Sequence, residues 1–278
     1  VLHAVPALLA LFAQDVPSLR LINLGGEMCP DSLVQRFDRP GRAIFNTYGP
    51  TEATVSASLA RLRAGEPVTI GTPLPNYGLM VIQPLEQPPV AGQPVPLVLQ
   101  PAGEVGELCI TGPGVALGYL GRPDLTAEKF LPNPFAGSPE EARLYRTGDL
   151  ARVDEHGQIH CLGRVDDQVK IRGFRVELGE IEAALLDQPG VGTAAVLLCQ
   201  DDGLDLLAAY MVADQGGEEP LPRPTDAQLR QALSARLPAY MVPQHFEWLT
   251  AMPRLTSGKI DRKALKALPR QRPVQADG

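Results

Sequence analysis

Ala43-Ile44-Phe45-Asn46-Thr47-Tyr48-Gly49-Pro50-Thr51-Glu52 is the stretch from which the fold reads outward. Its first four residues read as a strand, and Thr47 to Thr51 as the loop leaving it. Upstream, Leu19-Arg20-Leu21-Ile22-Asn23-Leu24 reads as a buried strand ending at Gly25-Gly26. Pro30 to Arg36, between the two strands, reads as a helix. Strand, helix, strand is the pattern of an α/β sheet, where ligands bind beyond the carboxyl ends of the strands. The loops after Leu24 and Asn46 are therefore both expected at a site.

Further out the pattern changes. Val68 to Cys161 is a series of short strands broken by Gly and Pro, which predicts a small, mostly antiparallel β subdomain. Gln83 to Pro101 is proline-rich and reads as an extended surface loop with polyproline character. A second unit starts near Asp166. Leu178, Ile181, Leu185 and Leu186 fall at helical spacing, with Gly190 as the stop. Thr193 to Cys199 and Leu206 to Val212 read as strands joined by a turn at Asp201-Asp202-Gly203. Gly216 to Pro224 reads as a linker. Thr225-Asp226-Ala227-Gln228 is a capping box opening a helix with Leu229, Leu233 and Leu237 on one side. His245 to Leu249 reads as a last strand. The apolar opening, Val1 to Phe12, reads as a buried helix; it is too short to span a bilayer and lacks the basic start of a signal peptide.

Composition narrows the class. The 278 residues carry a net charge of −7, which argues against a nucleic-acid binder. Cys29, Cys109, Cys161 and Cys199 are far apart, so neither a zinc site nor a disulfide framework is expected, and reduced cysteines fit a cytoplasmic protein. The four histidines have no paired nucleophile and read as structural or surface residues. A basic run from Arg254 to Arg270 reads as a solvated helix face, or as a surface for an acidic carrier or phosphate.

The chemistry-bearing residues sit beside glycine in four ordered motifs: Asn46 to Glu52, Tyr145-Arg146-Thr147-Gly148-Asp149-Leu150, Gly163 to Gly173, and Ser257-Gly258-Lys259-Ile260-Asp261-Arg262-Lys263. Glycine lets the backbone turn sharply and approach a ligand closely. Together they supply a carboxylate for Mg²⁺, a carboxylate for ribose hydroxyls and two cations for phosphate, the groups needed to hold a nucleotide. Each has a plainer local reading. Thr51-Glu52 is also a helix N-cap with an acidic first turn, Asp149 a turn aspartate, and Arg164 and Lys259 surface cations.

In this order the motifs resemble the adenylate-forming enzymes, specifically the amino-acid adenylation domains of nonribosomal peptide synthetases, from Gly25-Gly26-Glu27 to Leu265. Acyl-CoA ligases share the Tyr-Gly-x-Thr-Glu core and the late lysine. The string Asp167 to Glu182 and Leu237-Pro238-Ala239-Tyr240-Met241-Val242-Pro243 resemble the peptide-synthetase version. The resemblance implies an α/β fold: residues 1–165 as the C-terminal part of a large domain, with its β subdomain from about 68, then a mobile α+β lid over 166–270 and a tail over 271–278. It implies ATP and Mg²⁺ as cofactors. Glu52 would bind the metal, Thr51 the α-phosphate and Asp149 the ribose; Tyr48 would stack near adenine, with Asn46 at its edge. Gly49 belongs to the nucleotide loop, and Arg164 would bridge ribose and phosphate. Asn23, Gly25, Thr47, Val55 and Ser56 would line the amino-acid pocket. Lys259 would be the catalytic lysine, Asp166 the hinge, and Gly173 would face the pantetheine arm of a carrier domain.

The implied partners are an amino acid, a phosphopantetheinylated carrier and neighbouring synthetase domains, with neither nucleic acid nor membrane. The implied reaction joins ATP and an amino acid into aminoacyl-AMP and then loads the carrier thiol. The alternatives are an acyl-CoA ligase and a non-catalytic carrier-docking module. The family's glycine-rich phosphate loop and the pocket aspartate are not in these 278 residues, so the chain reads as a C-terminal portion, inactive alone, whose amino acid its sequence does not name. Cys161 stands where the family commonly has an aromatic residue.

Overall fold

A computed structural model describes residues 1–85, 87–89, 93, 95–166, 168–171, 173–201, 204–214, 222–256 and 258–268. The turn expected at 202–203, most of the linker at 216–221, Ser257, parts of the proline-rich stretch and the tail lie outside these residues. The chain divides into two compact units, Val1–Asp166 and Asp167–Gly278. It is a mixed α/β structure with several sheets and few helices.

The first unit opens with β1 (Leu2–Ala4), α1 (Pro6–Ala10), β2 (Leu21–Gly25), α2 (Asp31–Phe37), β3 (Ala43–Tyr48), β4 (Ser58–Leu62) and β5 (Thr72–Pro73). These strands form one sheet in sequence order, parallel from β1 to β3 and antiparallel from β3 to β5. The apolar opening is thus not one helix. Residues 2–4 pair with β2, and Pro6, whose fixed φ suits a first helical turn, starts a helix of only five residues. Leu9 is buried while Leu8 and Leu11 are exposed. Leu9, Leu33, Val34 and Phe37 pack with Ile22, Leu24 and Ile44 on one face of the sheet. The alternate residues of β2 and β3 (Asn23, Gly25, Phe45 and Thr47) are half-buried and belong to the other face. β3 continues two residues past Asn46, because Thr47 and Tyr48 pair with Leu59 and Ser58.

The second sheet of this unit contains β6 (Gly78–Ile82), β7 (Gly106–Thr111), β8 (Phe130–Pro132), β9 (Arg143–Val153) and β10 (Ile159–Arg164), with α3 (Pro123–Lys129) before β8. All its pairings are antiparallel, in the order β10-β9-β7-β6 with β8 also on β9. The described residues of the proline-rich stretch form a mostly exposed loop, as read, and that loop is anchored to the sheet. Gln83 N donates to Val98 O (2.8 Å), Gln100 N donates to Val81 O (2.8 Å), and Leu85, Val95 and Leu97 pack on Ile82, Cys109, Leu131 and Leu144.

The second unit contains β11 (Gln168–Ile171), β12 (Phe174–Glu177), α4 (Leu178–Leu186), β13 (Val191–Asp201), β14 (Leu204–Ala213), α5 (Asp226–Ser234), β15 (His245–Leu249) and α6 (Arg262–Lys266). β13 and β14 are antiparallel and β15 joins parallel to β14. Alternate strand residues pack to opposite sides. Val196, Leu207, Ala209 and Met211 share a cluster with residues of α4 and α5, and Ala195, Leu197, Ala208 and Tyr210 one with Leu265 of α6. Burial on both faces explains the unbroken apolar runs of β13 and β14. In α4, Leu178, Ile181 and Leu185 are buried, but Leu186 is exposed, one position past the buried stripe. The Thr225 capping box forms as read: Thr225 Oγ1 accepts from Gln228 N, and Thr225 N donates to Gln228 Oε1. All four cysteines are free, and no helix among the described residues is long and apolar enough to cross a membrane.

Candidate functional site

β9 carries Arg146-Thr147-Gly148-Asp149 in mid-strand, and the backbone there departs from a regular ladder. Gly148 has φ +74°, and a Cβ on it would lie 2.7 Å from Arg164 Nη2, so glycine is required. The β7–β9 register shifts between Glu107 and Cys109, an irregularity that re-aims side chains. Glu107, 1% exposed, holds the kink. Its Oε2 accepts from Arg146 Nε (3.1 Å) and Nη2 (2.6 Å), and its Oε1 accepts from Gly148 N (3.1 Å). Thr147 Oγ1 donates to Leu108 O (2.8 Å) and accepts from Asp149 N (3.0 Å). Sequence reading missed Glu107; the available signal was a carboxylate directly before the apolar run Leu108-Cys109-Ile110.

Asp149 is buried, and both its oxygens are engaged. Oδ2 accepts from the Tyr48 hydroxyl, and Oδ1 accepts from Arg164 Nη1 at 2.7 Å. Arg164 lies directly across the β9–β10 ladder from Asp149. Its other edge forks onto Asp166, with Nε to Oδ1 at 2.6 Å and Nη2 to Oδ2 at 2.7 Å. One guanidinium therefore bridges two carboxylates, the planar pairing arginine is built for. Burial works against the Arg164 charge, but the hydrogen bond with Asp166 and the charge of Asp149 outweigh it and hold the group above its ordinary pKa. Burial, and next the Asp149 charge, push the Tyr48 phenol well above its ordinary value, so Tyr48 stays a donor.

The loop after β3 presents the remaining nucleotide candidates. Asn46 is buried and donates from Nδ2 to Thr69 O at 2.8 Å. A Cβ on Gly49 would sit 2.7 Å from Ser56 Cα and Val55 O, so this glycine permits a close chain crossing. Thr51 and Glu52 begin a single 3₁₀ turn, Thr51–Ala53. Glu52 Oε1 accepts from the Tyr119 hydroxyl at 2.6 Å, a partner that sequence reading did not anticipate across 67 positions. Thr54 (φ +55°) and Val55 (φ +72°) follow in left-handed conformation. Two adjacent non-glycine residues in this region cost of order 1–3 kcal/mol each and cluster at functional sites.

The amino-acid-pocket candidates divide. Asn23, Gly25 and Thr47 lie together on the half-buried sheet face. Gly25 pairs with Thr47, whose Oγ1 donates to Leu24 O at 2.9 Å, and a Cβ on Gly25 would meet that Oγ1 at 2.5 Å. Asn23 Nδ2 is 3.2 Å from His3 Nδ1, while Asn23 Oδ1 is buried with no hydrogen-bond partner among the described residues. A buried, unsatisfied amide oxygen is costly and fits an incoming N–H donor. Val55 and Ser56 lie instead on the left-handed turn, with Val55 74% exposed.

Lys259 and Gly173 belong to the second unit. Gly173, φ +81°, lies at the turn between β11 and β12. Lys259 is exposed on a tight turn in which Gly258 has φ +84°, Gly258 N donates to Leu255 O (2.9 Å) and Leu255 N donates to Lys259 O (2.8 Å).

Comparison with known proteins addresses the family of the whole chain. The family model described as AMP-binding enzyme matches residues 1–120, and that described as AMP-binding enzyme C-terminal domain matches 180–259. The chain is 62% identical over 269 residues to delta-poly-L-ornithine synthetase of Acinetobacter baumannii, covering 97% of this chain and 19% of that protein. Among solved structures, holo-PA1221, a nonribosomal peptide synthetase protein containing adenylation and PCP domains, superposes with a TM-score of 0.76 at 27% identity. That match covers 95% of this chain and 44% of the other. The Vibrio cholerae adenylation domain AlmE, in complex with glycyl-adenosine-5'-phosphate, also gives 0.76 at 27%, covering 95% and 48%. The chain spans about a fifth of the synthetase and under half of each solved chain. A buried Tyr48–Asp149–Arg164 cluster beside a Tyr-Gly-Pro-Thr-Glu loop, and matches to both parts of one family over most of the chain, lead to one conclusion: this protein belongs to the AMP-binding enzyme family, with adenylation domains of peptide synthetases among its relatives.

Proposed function

We propose that this chain contributes to an amino-acid-activating site that forms aminoacyl-AMP and pyrophosphate from ATP, and then passes the aminoacyl group to a carrier phosphopantetheine thiol. The observation that carries the reading is the Asp149 carboxylate, buried at the end of a forced turn and flanked by Tyr48 and Arg164. A carboxylate oxygen has more than one lone-pair site, so Asp149 retains capacity for ribose hydroxyls while its own orientation stays fixed. Arg164 remains cationic beside it and suits a phosphate or ribose oxygen. Asn46, Tyr48, Gly49 and Thr51 complete the nucleotide side.

The residues also fit Mg²⁺. No group of three or more His, Cys, Asp or Glu side chains among the described residues could hold a metal alone. That suits an ion bound through one carboxylate, with phosphate oxygens and water completing its shell. Glu52, aimed by Tyr119, is that carboxylate. The ion would neutralise phosphate charge. Asn23, Gly25, Thr47, Val55 and Ser56 form the amino-acid side, where the unsatisfied Asn23 Oδ1 supports recognition of a donor. Lys259 supplies a positive charge for the developing carboxylate–phosphate charge, since phosphoryl transfer is catalysed mostly by positioning and electrostatics. Gly173 faces the carrier arm, and Asp166 is the hinge between the half-reactions.

ATP–pyrophosphate exchange by the full-length protein against a panel of amino acids tests this. L-Ornithine is offered first, because the 62%-identical relative is named for a polyornithine. Exchange with an amino acid, followed by loading of a phosphopantetheinylated carrier in preference to coenzyme A, is the expected result. Exchange only with carboxylic acids lacking an amino group, with transfer to coenzyme A, would replace the reading by an acyl-CoA ligase. No exchange with any acid would leave a non-catalytic docking module.

A further inference from the structure

Two motif strings that contribute nothing to the nucleotide cluster meet inside the second unit. Glu182 lies in α4, within Glu180-Ile181-Glu182, and Arg262 opens α6 three residues after Lys259. Across 80 positions, Arg262 Nη2 donates to Glu182 Oε1 at 2.8 Å. The same oxygen accepts from Val196 N at 2.8 Å, and Arg262 Nη1 donates to Val196 O at 2.8 Å. One carboxylate oxygen thus ties α4, β13 and the start of α6 together. The two side chains are 25% and 16% exposed, enough burial for the charge-assisted bonds to hold their geometry.

The turn bearing Lys259 is closed by local bonds. Leu255, Gly258 and Lys259 bond among themselves, Arg254 Nη1 donates to Gly258 O (2.8 Å), and Asp261 N donates to Pro253 O (2.9 Å). Such bonds set the shape of a turn but not its direction on the body that carries it. That direction is set where the turn meets the packed sheet: Met252 and Ile260 pack on the cluster around Leu265, Asp261 caps α6 by accepting from Ala264 N (2.9 Å), and Arg262 is the charged group there that reaches across to α4 and β13.

We propose that Glu182 and Arg262 are positioning residues for Lys259: their ion pair fixes the direction of the turn and so where the ammonium is delivered. The proposal rests on Lys259 being the adenylation lysine. A shift of about 1 Å in a reacting group costs up to about 10²-fold in rate. A lysine on a flexible four-carbon stem recovers part of that, so loss of the anchor is expected to cost about tenfold.

The test is a double-mutant cycle in the full-length protein, read by ATP–pyrophosphate exchange. Glu182→Ala should lower kcat for adenylation about tenfold and leave KM for ATP within about twofold. Glu182→Gln keeps an oxygen to accept from both Arg262 and Val196, and should stay within about threefold of wild type. Transfer from preformed aminoacyl-AMP to the carrier should be unchanged in both. Glu182→Ala combined with Lys259→Ala should be no slower than Lys259→Ala alone, because the pair acts only through that lysine. If Glu182→Ala does not fold, Arg262→Lys, which keeps the charge and loses the fork, carries the same cycle.

A double variant slower than Lys259→Ala by the full Glu182 factor would overturn the proposal. So would an equal fall in both half-reactions, the mark of a merely structural pair. Lys259→Ala at the wild-type rate would remove the lysine's role and the pair's with it. Wild-type protein without exchange on any acid would instead sink the activity proposed above.

Discussion

Tyr48 and Asp149 are 101 positions apart, one at the end of a sheet strand and the other on a kinked strand of the second sheet, and the phenol donates to the carboxylate in a buried contact. The bond brings the two motifs together and fixes the orientation of the Asp149 carboxylate. Asparagine in place of Asp149 would be isosteric. Its amide oxygen accepts from Arg164, and its amide nitrogen donates to a Tyr48 hydroxyl that has turned to accept. The charge and one acceptor oxygen are lost. Asp149→Asn should therefore raise KM for ATP about tenfold or more, the weight of a hydrogen bond to a charged group, with little change in KM for the amino acid. Steady-state exchange kinetics check this, and an effect confined to the amino acid would contradict the ribose assignment.

Tyr48 gives the site a signature at alkaline pH. Its folded pKa is raised above the unfolded value, first by burial and then by Asp149. The sign follows from linkage: a raised pKa contributes stability that is fully present below the unfolded value, about 10 for tyrosine, and is lost as pH rises through the folded value. Tyr48→Phe removes this contribution. Urea unfolding from about pH 8 to about pH 11 should show wild type losing stability more steeply than Tyr48→Phe. Parallel curves would mean that the phenol ionises as freely folded as unfolded.

What the sequence disclosed follows the range of each interaction. The Thr225 capping box, the strand His245–Leu249 and the helical stripe of Leu178, Ile181 and Leu185 depend on neighbours within a few positions, and formed as read except that Leu186 falls outside the stripe. The opening segment did not. Val1 to Phe12 is apolar throughout, and apolar runs do not separate strand from helix by periodicity; Pro6 and the partner strand β2 decided it. Glycine beside Tyr48, Asp149 and Arg164 drew attention to those residues, which the structure brings together. Their supports were not marked in this way. Glu107 beneath Gly148 and Tyr119 on Glu52 are long-range partners: an apolar run beside Glu107 gave only a faint local signal, and Tyr119 gave none.

Lys259→Ala should slow adenylation by roughly 10²–10³, about 2.7–4 kcal/mol, as for loss of one preorganised transition-state donor. The residue is exposed on a glycine turn, so thermal stability should change little. Transfer from preformed aminoacyl-AMP should be nearly unaffected. Single-turnover measurements of each half-reaction separate the cases, and an equal fall in both would remove the adenylation role from Lys259.

Asp166 is the last residue of the first compact unit, and its carboxylate forks onto Arg164, which also holds Asp149. A hinge must absorb large φ/ψ changes at a few residues, and proline at this position fixes φ near −65° and restricts Val165 as well. Asp166→Pro should therefore retain adenylation and lose carrier loading. The substitution also removes the fork, so Asp166→Ala is the control. Alanine frees Arg164 in the same way but leaves the backbone mobile. If backbone freedom matters, Asp166→Ala should load the carrier within about threefold of wild type, with its main change in KM for ATP, while Asp166→Pro loads at least about tenfold more slowly. Both half-reactions measured in both variants decide the point. Equal loading by the two would place the hinge elsewhere, and leave Asp166 as the partner that keeps the Arg164 guanidinium turned toward the nucleotide side.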